Sequence, residues 1–147
     1  MNAGARIFVD TNVLLYQLSG ALPEKQARAE QWMGFLWDSA SGRISWQVLH
    51  EFYVNAVMKL RVPPDAARTY ATRMFEWKPA SPTPDAIQRA WHWCDTSKIN
   101  FWDALIVAAA EQTGCHYLLS EDFQTGRRFD AVAVIDPFAR TPTEFLS

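Results

Sequence analysis

The sequence predicts an α/β protein, a three-layer α/β/α sandwich built around a short parallel sheet. Short apolar, β-prone segments alternate with longer helical ones, and one helix is apolar on every side. Such alternation is typical of a parallel sheet covered on both faces, and a helix without a polar face must lie in the interior. No repeat or linker divides the 147 residues, so we expect a single domain over residues 1–147.

The first half of the chain begins with a short buried strand from Arg6 to Asp10. Thr11 and Asn12 then offer cap chemistry for a helix that opens with Val13. A second helix, at about 24–38, carries apolar residues along one side and ends at Ser41-Gly42. The sequence next predicts a short strand at 43–45 and helices at 46–60 and 63–74.

In the second half, a brief edge strand is predicted at 78–81, and Pro84 opens a helix that runs to about residue 97. The apolar helix follows at 101–113, and Gly114 is placed to close it. Strands are predicted at 116–119 and 131–136, and Pro137 ends the last of them.

Composition excludes several classes of function. Lys and Arg number 14 against 16 Asp and Glu, so there is no broad basic field, and a nucleic acid would be held by a local patch or through metal ions. The two cysteines and three histidines lack zinc spacing. The longest clean apolar run, 104–110, is far short of the roughly 18 residues that span a bilayer. With no export signal at the start, we expect a cytoplasmic protein without a membrane partner.

Two acidic residues directly follow predicted strands. Asp10 ends the first strand, and Asp122 follows the 116–119 strand after Ser120. A helix cap or a capped turn would explain each residue taken singly. However, the carboxyl ends of parallel strands are where open α/β sheets place ligands.

Two further acidic residues lie on apolar helices. Glu51 stands among apolar neighbours, and Asn55, one turn on, could orient it; a solvated face is the simpler explanation. Asp103 begins the apolar helix, where it could interact with the helix dipole. Because that helix is expected in the interior, a buried, unpartnered carboxylate there would be expensive, which favours a function.

The four carboxylates would converge if the two strands are neighbours in the sheet. Four carboxylates at short distance cannot all stay ionised without a cation. Oxygen ligands without His or Cys favour Mg²⁺ or Mn²⁺, which can activate water and neutralise a phosphate. The pattern therefore predicts metal-assisted phosphodiester hydrolysis.

The segment Val9-Asp10-Thr11-Asn12-Val13-Leu14-Leu15-Tyr16 resembles the opening motif of PIN-domain ribonucleases. Glu51, the run from Phe101 to Ile106, and the run from Leu119 to Phe123 are similar to the family's later acidic motifs. As a compact single domain, the chain most resembles the VapC toxins of toxin–antitoxin pairs.

This resemblance implies a PIN-like fold and an endoribonuclease that uses Mg²⁺ or Mn²⁺. It also implies a homodimer inhibited by a cognate antitoxin. The catalytic residues would be Asp10, Glu51, Asp103 and Asp122, with Asp10, Asp103 and Asp122 as metal ligands and Glu51 positioning water. Supporting roles around them would fall to Thr11, Asn12, Asn55 and Ser120. Glu121 adjoins Asp122, so which of the two faces the site stays open.

Weaker candidates for RNA contact are Arg127 and Arg128, which directly follow the predicted loop at 124–126. They could bind phosphates or simply be solvated. Trp46 and Trp102 border the acidic helices, and one of them could stack on a base, although core packing is the commoner role of Trp.

Two other functions remain open. A catalytically silent PIN-like binding module would keep the fold without cutting. A phosphatase with Asp10 as nucleophile is disfavoured, because such enzymes want a second Asp at the position of Asn12.

Overall fold

The computed structural model describes residues 2–124 and 126–147, and it has the predicted α/β/α architecture around a central sheet. The strands lie in the order β2-β1-β3-β5-β4, and all are parallel except β4, which runs antiparallel to β5. Their bounds are β1 Ile7–Val9, β2 Gly42–Arg43, β3 Tyr117–Leu119, β4 Arg128–Phe129 and β5 Val132–Ile135.

The helices match the predicted ones to within a few residues, except that the last helix of the chain was not predicted. A short 3₁₀ turn, Phe75–Trp77, follows the fourth. The helices are α1 Thr11–Tyr16, α2 Pro23–Ser39, α3 Trp46–Met58, α4 Pro64–Met74, α5 Pro84–Ser97, α6 Phe101–Gln112 and α7 Pro142–Leu146.

Helix α6 is the central helix of the fold. Every residue from Ala104 to Ala110 is buried, which confirms the prediction of an interior helix. It packs across β1, β3 and β5, and α5 packs against it. Arg89 of α5 bridges Glu111 of α6 and Asp130 of the β4–β5 hairpin at 2.7 and 2.8 Å. This ion-pair network joins the two helices to the edge of the sheet.

Helix α2 contacts β2 and α7. Its Trp32 is fully buried and packs against Phe145 of α7, with ring centroids 5.7 Å apart. The indole Nε1 donates to the carbonyls of Pro137 and Arg140 at 3.1 and 2.9 Å. A single side chain thus satisfies two backbone acceptors of the segment that leaves the sheet and leads into α7.

The register of the central strands decides what stands at their carboxyl ends. Val9 of β1 pairs with Leu119 of β3, which pairs in turn with Ile135 of β5. The residues that follow are therefore neighbours: the backbone amide of Asp10 donates to the Leu119 carbonyl at 3.0 Å. This confirms that the two strands expected to carry acidic residues lie side by side.

Three sequence expectations were wrong or incomplete. The predicted strand at 78–81 is only a bridge between Ser45 and Ala80; a left-handed Lys78 precedes it, and prolines that cannot donate follow it. Strand β4 was missed because two residues carry no periodic signal. Helix α7 was also missed, although Thr141 and Glu144 form a capping box, a signature readable in the sequence.

None of the helices within residues 2–124 and 126–147 combines the length and apolar content needed to cross a bilayer. Thr125, in the predicted loop before Arg127, lies outside the described residues.

We predict that Trp32→Phe lowers the free energy of unfolding by about 2–3 kcal/mol, because it removes a ring from the core and the indole hydrogen bond to the Arg140 carbonyl. The Pro137 carbonyl keeps a hydrogen bond from Arg28. Urea unfolding would measure the change. Trp91→Phe is the matched control, since Trp91 is 56% exposed on α5 and should shift stability by less than about 0.5 kcal/mol. Equal effects of the two substitutions would contradict this role of Trp32.

Candidate active site

Asp10 lies at the centre of the candidate site, at the carboxyl end of β1. Its side chain is only 6% exposed and caps α1, with Oδ1 accepting from the Thr11 amide at 2.7 Å. Its Oδ2 accepts from the Ser120 hydroxyl at 2.7 Å. Asp10 is therefore a helix cap, as the sequence also allowed. The same carboxylate faces Ser120, at the carboxyl end of the neighbouring strand β3.

Ser120 and Asn12 connect Asp10 to the fourth predicted acid. The buried Ser120 Oγ accepts from the backbone amide of Asp122 at 3.0 Å. The side-chain amide of Asn12 lies 3.1 Å from Asp122 Oδ2, 3.2 Å from Ser120 Oγ and 3.4 Å from Asp10 Oδ2. These contacts hold Asp122 at the same edge of the sheet as Asp10.

Glu51, the helix-borne acid on α3, is tied to α1. Thr11 donates its hydroxyl to Glu51 Oε1 at 2.9 Å. Asn55, expected to orient Glu51, instead donates to its backbone carbonyl at 2.8 Å, because a short amide side chain readily bonds the carbonyl one turn back. Thr11, not Asn55, therefore orients the carboxylate.

Asp103 stands in the first turn of α6 and is half-buried. Asn100 caps this helix by accepting from the Asp103 amide at 2.9 Å, and its own amide donates to Asp103 Oδ2 at 3.0 Å. One residue thus fixes both the start of the buried helix and the direction of the carboxylate.

All four predicted acids line one open cleft of about 190 Å³. Thr11, Asn12 and Asn55 line it as well, and Ser120 lies behind them. Gln47 was missed by the sequence analysis, although it precedes Glu51 by one helical turn and so shares its face. Among the residues that the structure describes, no Lys or Arg belongs to the lining, which is Asp10, Thr11, Asn12, Leu15, Gln47, Glu51, Asn55, Asp103, Ile106 and Asp122.

Burial and mutual repulsion shape the electrostatics of the cleft. Desolvation is the largest cause that raises the pKa of Asp10, and the charges of Asp122 and Glu51 add to it. Against the lowering effect of the hydrogen bonds from Ser120 and Thr11, the pKa rises from 3.8 to about 7. Desolvation and the charge of Asp122 also raise the pKa of Asp103. The cleft therefore favours any partner that brings positive charge.

The donor chemistry of the cleft fits a hard divalent cation. Carboxylate, amide and hydroxyl oxygens line it, and neither His nor Cys does. As the side chains stand, no three His, Cys, Asp or Glu residues within the described part of the chain are close enough to hold an ion. Each carboxylate is instead engaged by a neighbouring hydroxyl or amide.

Three acidic or basic candidates are placed outside the cleft. Glu121 turns away and pairs with Lys25 at 2.6 Å, so Asp122 is the residue that faces the site. Arg127 donates to the Ser97 carbonyl at 2.7 Å and lies over the Phe129 ring. Arg128 is exposed on β4. Neither arginine lines the cleft, and Arg127 is engaged in structural contacts.

A comparison with protein families matches the PIN domain over residues 7–134. A comparison with curated proteins found no similar sequence. The matched range contains all four cleft carboxylates and the whole sheet except Ile135, the last residue of β5. Because the match covers most of its length, the chain belongs to the PIN domain family, whose members are generally nucleases.

Proposed function

We propose that this protein is an endoribonuclease that hydrolyses RNA phosphodiester bonds with Mg²⁺ or Mn²⁺. The observation that carries the proposal is a cleft that four carboxylates line and that, among the described residues, no Lys or Arg lines. A surface of this kind repels a phosphate unless a cation intervenes. Family membership supports nuclease chemistry, and the oxygen-only lining supports a hard metal ion.

In this proposal Asp10, Asp103 and Asp122 would hold the ion, which would neutralise phosphate charge and activate water. Glu51, held by Thr11, would orient the attacking water and accept its proton. Asn12 and Ser120 would keep Asp10 and Asp122 at a fixed separation through their hydrogen bonds. The hydrogen bonds of Asn12 and Ser120 would thus position the two metal ligands.

We further propose that the chain acts as the toxin of a VapBC-type pair, as a homodimer that a cognate antitoxin inhibits. An apolar groove of about 420 Å³ between α3 and α4 supports the idea of a protein partner, since Val54 and Phe75 in it are 55% and 48% exposed. The product of a small adjacent reading frame should bind the chain and stop cleavage. A product that binds without inhibiting would contradict this assignment.

The two alternative functions lack comparable support. A phosphatase with Asp10 as nucleophile would want a second Asp at the position of Asn12, and the Asn12 amide lies against Ser120 and Asp122 instead. A silent binding module would not need to retain four carboxylates in one cleft, where burial and the charges of Asp122 and Glu51 raise the pKa of Asp10.

We predict that purified protein cleaves RNA with Mg²⁺ or Mn²⁺ and that EDTA stops cleavage. Asp10→Asn and Asp103→Asn should each lower the rate by at least about 10–100-fold, because each removes a charged ligand. Gel analysis of a labelled RNA would measure the rates, and circular dichroism would check the folds. Cleavage that persists in EDTA and in both variants would eliminate the metal mechanism.

Adjacent acids provide a sharper comparison. Asp122→Asn should lower cleavage by about 10–100-fold, because Asp122 faces the cleft, whereas Glu121→Gln should leave it nearly unchanged, because Glu121 pairs with Lys25. Cleavage rates and urea unfolding would be measured for both variants. The assignment of Asp122 is wrong if Glu121→Gln is the more damaging substitution.

The raised pKa of Asp10 predicts how stability depends on pH. The folded state, with a pKa of about 7, binds this proton more tightly than the unfolded state, with a pKa near 3.8. Stability from this group is therefore present at low pH and is lost as pH rises through about 7.

Asp10→Asn should remove this loss, so in EDTA the Tm of the variant should exceed that of the wild type by several degrees at about pH 8 and by less at about pH 5. Thermal unfolding in matched buffers would test it. If the Tm of the wild type instead exceeded that of the variant by more as pH rises, the ionised Asp10 carboxylate would not destabilise the folded state.

A further inference from the structure

Trp102 is a large aromatic side chain exposed beside the cleft. Its side chain is 62% exposed, although it is on the same helix as the seven buried residues of α6. It directly precedes Asp103, and its carbonyl accepts from Gln47 Nε2 at 3.2 Å. Trp102 is therefore linked to two residues that line the cleft: Asp103 follows it in the chain, and Gln47 contacts its carbonyl.

The backbone that carries Trp102 is well fixed. Asn100 caps α6, and Gln47 links the first turn of α6 to α3. The Phe101 ring meets the indole edge-on, with centroids 5.3 Å apart. Trp102 is thus an exposed π-face on a rigid element, the arrangement that single-stranded nucleic acids use for stacking.

We propose that Trp102 is a base-stacking platform that positions an unpaired nucleotide of the substrate next to the acidic cleft. This inference rests on the proposed function. The acidic cleft disfavours the substrate's phosphates, whereas an uncharged π-face can bind a base there without electrostatic penalty. It would make Trp102 a residue that selects single-stranded RNA, because bases in a duplex are already stacked on one another.

A cation on the connection that leads into α6 supports an RNA contact over a protein contact. Lys98, the C-cap residue of α5, is exposed and precedes Trp102 by four residues in the chain. With the residues that the structure describes, its side chain makes no hydrogen bond or ion pair. An exposed ammonium group on the same connection as an exposed aromatic ring suits a substrate with phosphates and bases.

The position of Trp102 relative to the apolar groove of α3 and α4 points the same way. Trp46, Tyr53 and Val54 line that groove, and Trp102 does not. An exposed aromatic ring that extended the groove would favour a protein partner. Trp102 instead adjoins a catalytic carboxylate of the proposed mechanism.

The test measures KM and kcat for a short single-stranded RNA and for the same sequence as a duplex, with Trp102→Ala and Trp102→Phe. Loss of one stacked base corresponds to about 5–150-fold. We expect Trp102→Ala to raise KM for the single strand within that range while kcat changes little, and Trp102→Phe to recover much of the loss. Any cleavage of the duplex should respond far less.

Trp91→Ala is the matched control, because Trp91 is 56% exposed on α5 and does not line the cleft. If Trp102→Ala and Trp91→Ala behave alike, the platform is refuted while the nuclease stands. If the wild type neither binds nor cuts RNA, the proposed function fails first. A change in sedimentation with unchanged KM would assign Trp102 to a protein interface and overturn the inference.

Discussion

The pairing of β1 with β3 is the constraint on which the rest of the site depends. Because Val9 lies opposite Leu119, Asp10 and Ser120 emerge side by side, and their 2.7 Å hydrogen bond joins the two strand ends. A slip of one residue would turn the side chains of the slipped strand to the other face of the sheet, so Asp10 and Ser120 would no longer meet. The buried carboxylate is tolerable only because Thr11 and Ser120 satisfy it.

The helix caps of this protein also position its acids. Asp10 caps α1, and Asn100 caps α6 while it orients Asp103. Ser45 caps α3, the helix that carries Glu51 and Gln47. For α1 and α6, the stability of the helix start and the geometry of the cleft therefore come from the same contacts. Glu51 lies further along α3 and is held by Thr11 instead.

The cleft also shows a conflict between local stability and chemistry. Burial, together with neighbouring carboxylates, raises the pKa of Asp10 and of Asp103 and so destabilises the folded chain when these groups are ionised. The large apolar core around α6 outweighs that cost. Such conflicts are expected at functional sites, where local rules are broken for a chemical reason. The exposed Trp102 is a second departure from ordinary packing, and it lies beside the first.

The sequence alone predicted the layered architecture, most helices and the two strands that Asp10 and Asp122 follow, because hydrophobic periodicity and cap residues are local signals. That these two strands are neighbours was a condition that only the structure met. It also predicted the four acids, since acidic residues in apolar surroundings need a reason. It could have predicted α7 from Thr141 and Glu144. Only the tertiary structure decided that Asp122 rather than Glu121 faces the cleft, that Thr11 rather than Asn55 holds Glu51, and that Arg127 is bound elsewhere. Those choices depend on side-chain directions and on partners far apart in the chain, and local patterns contain no information about either.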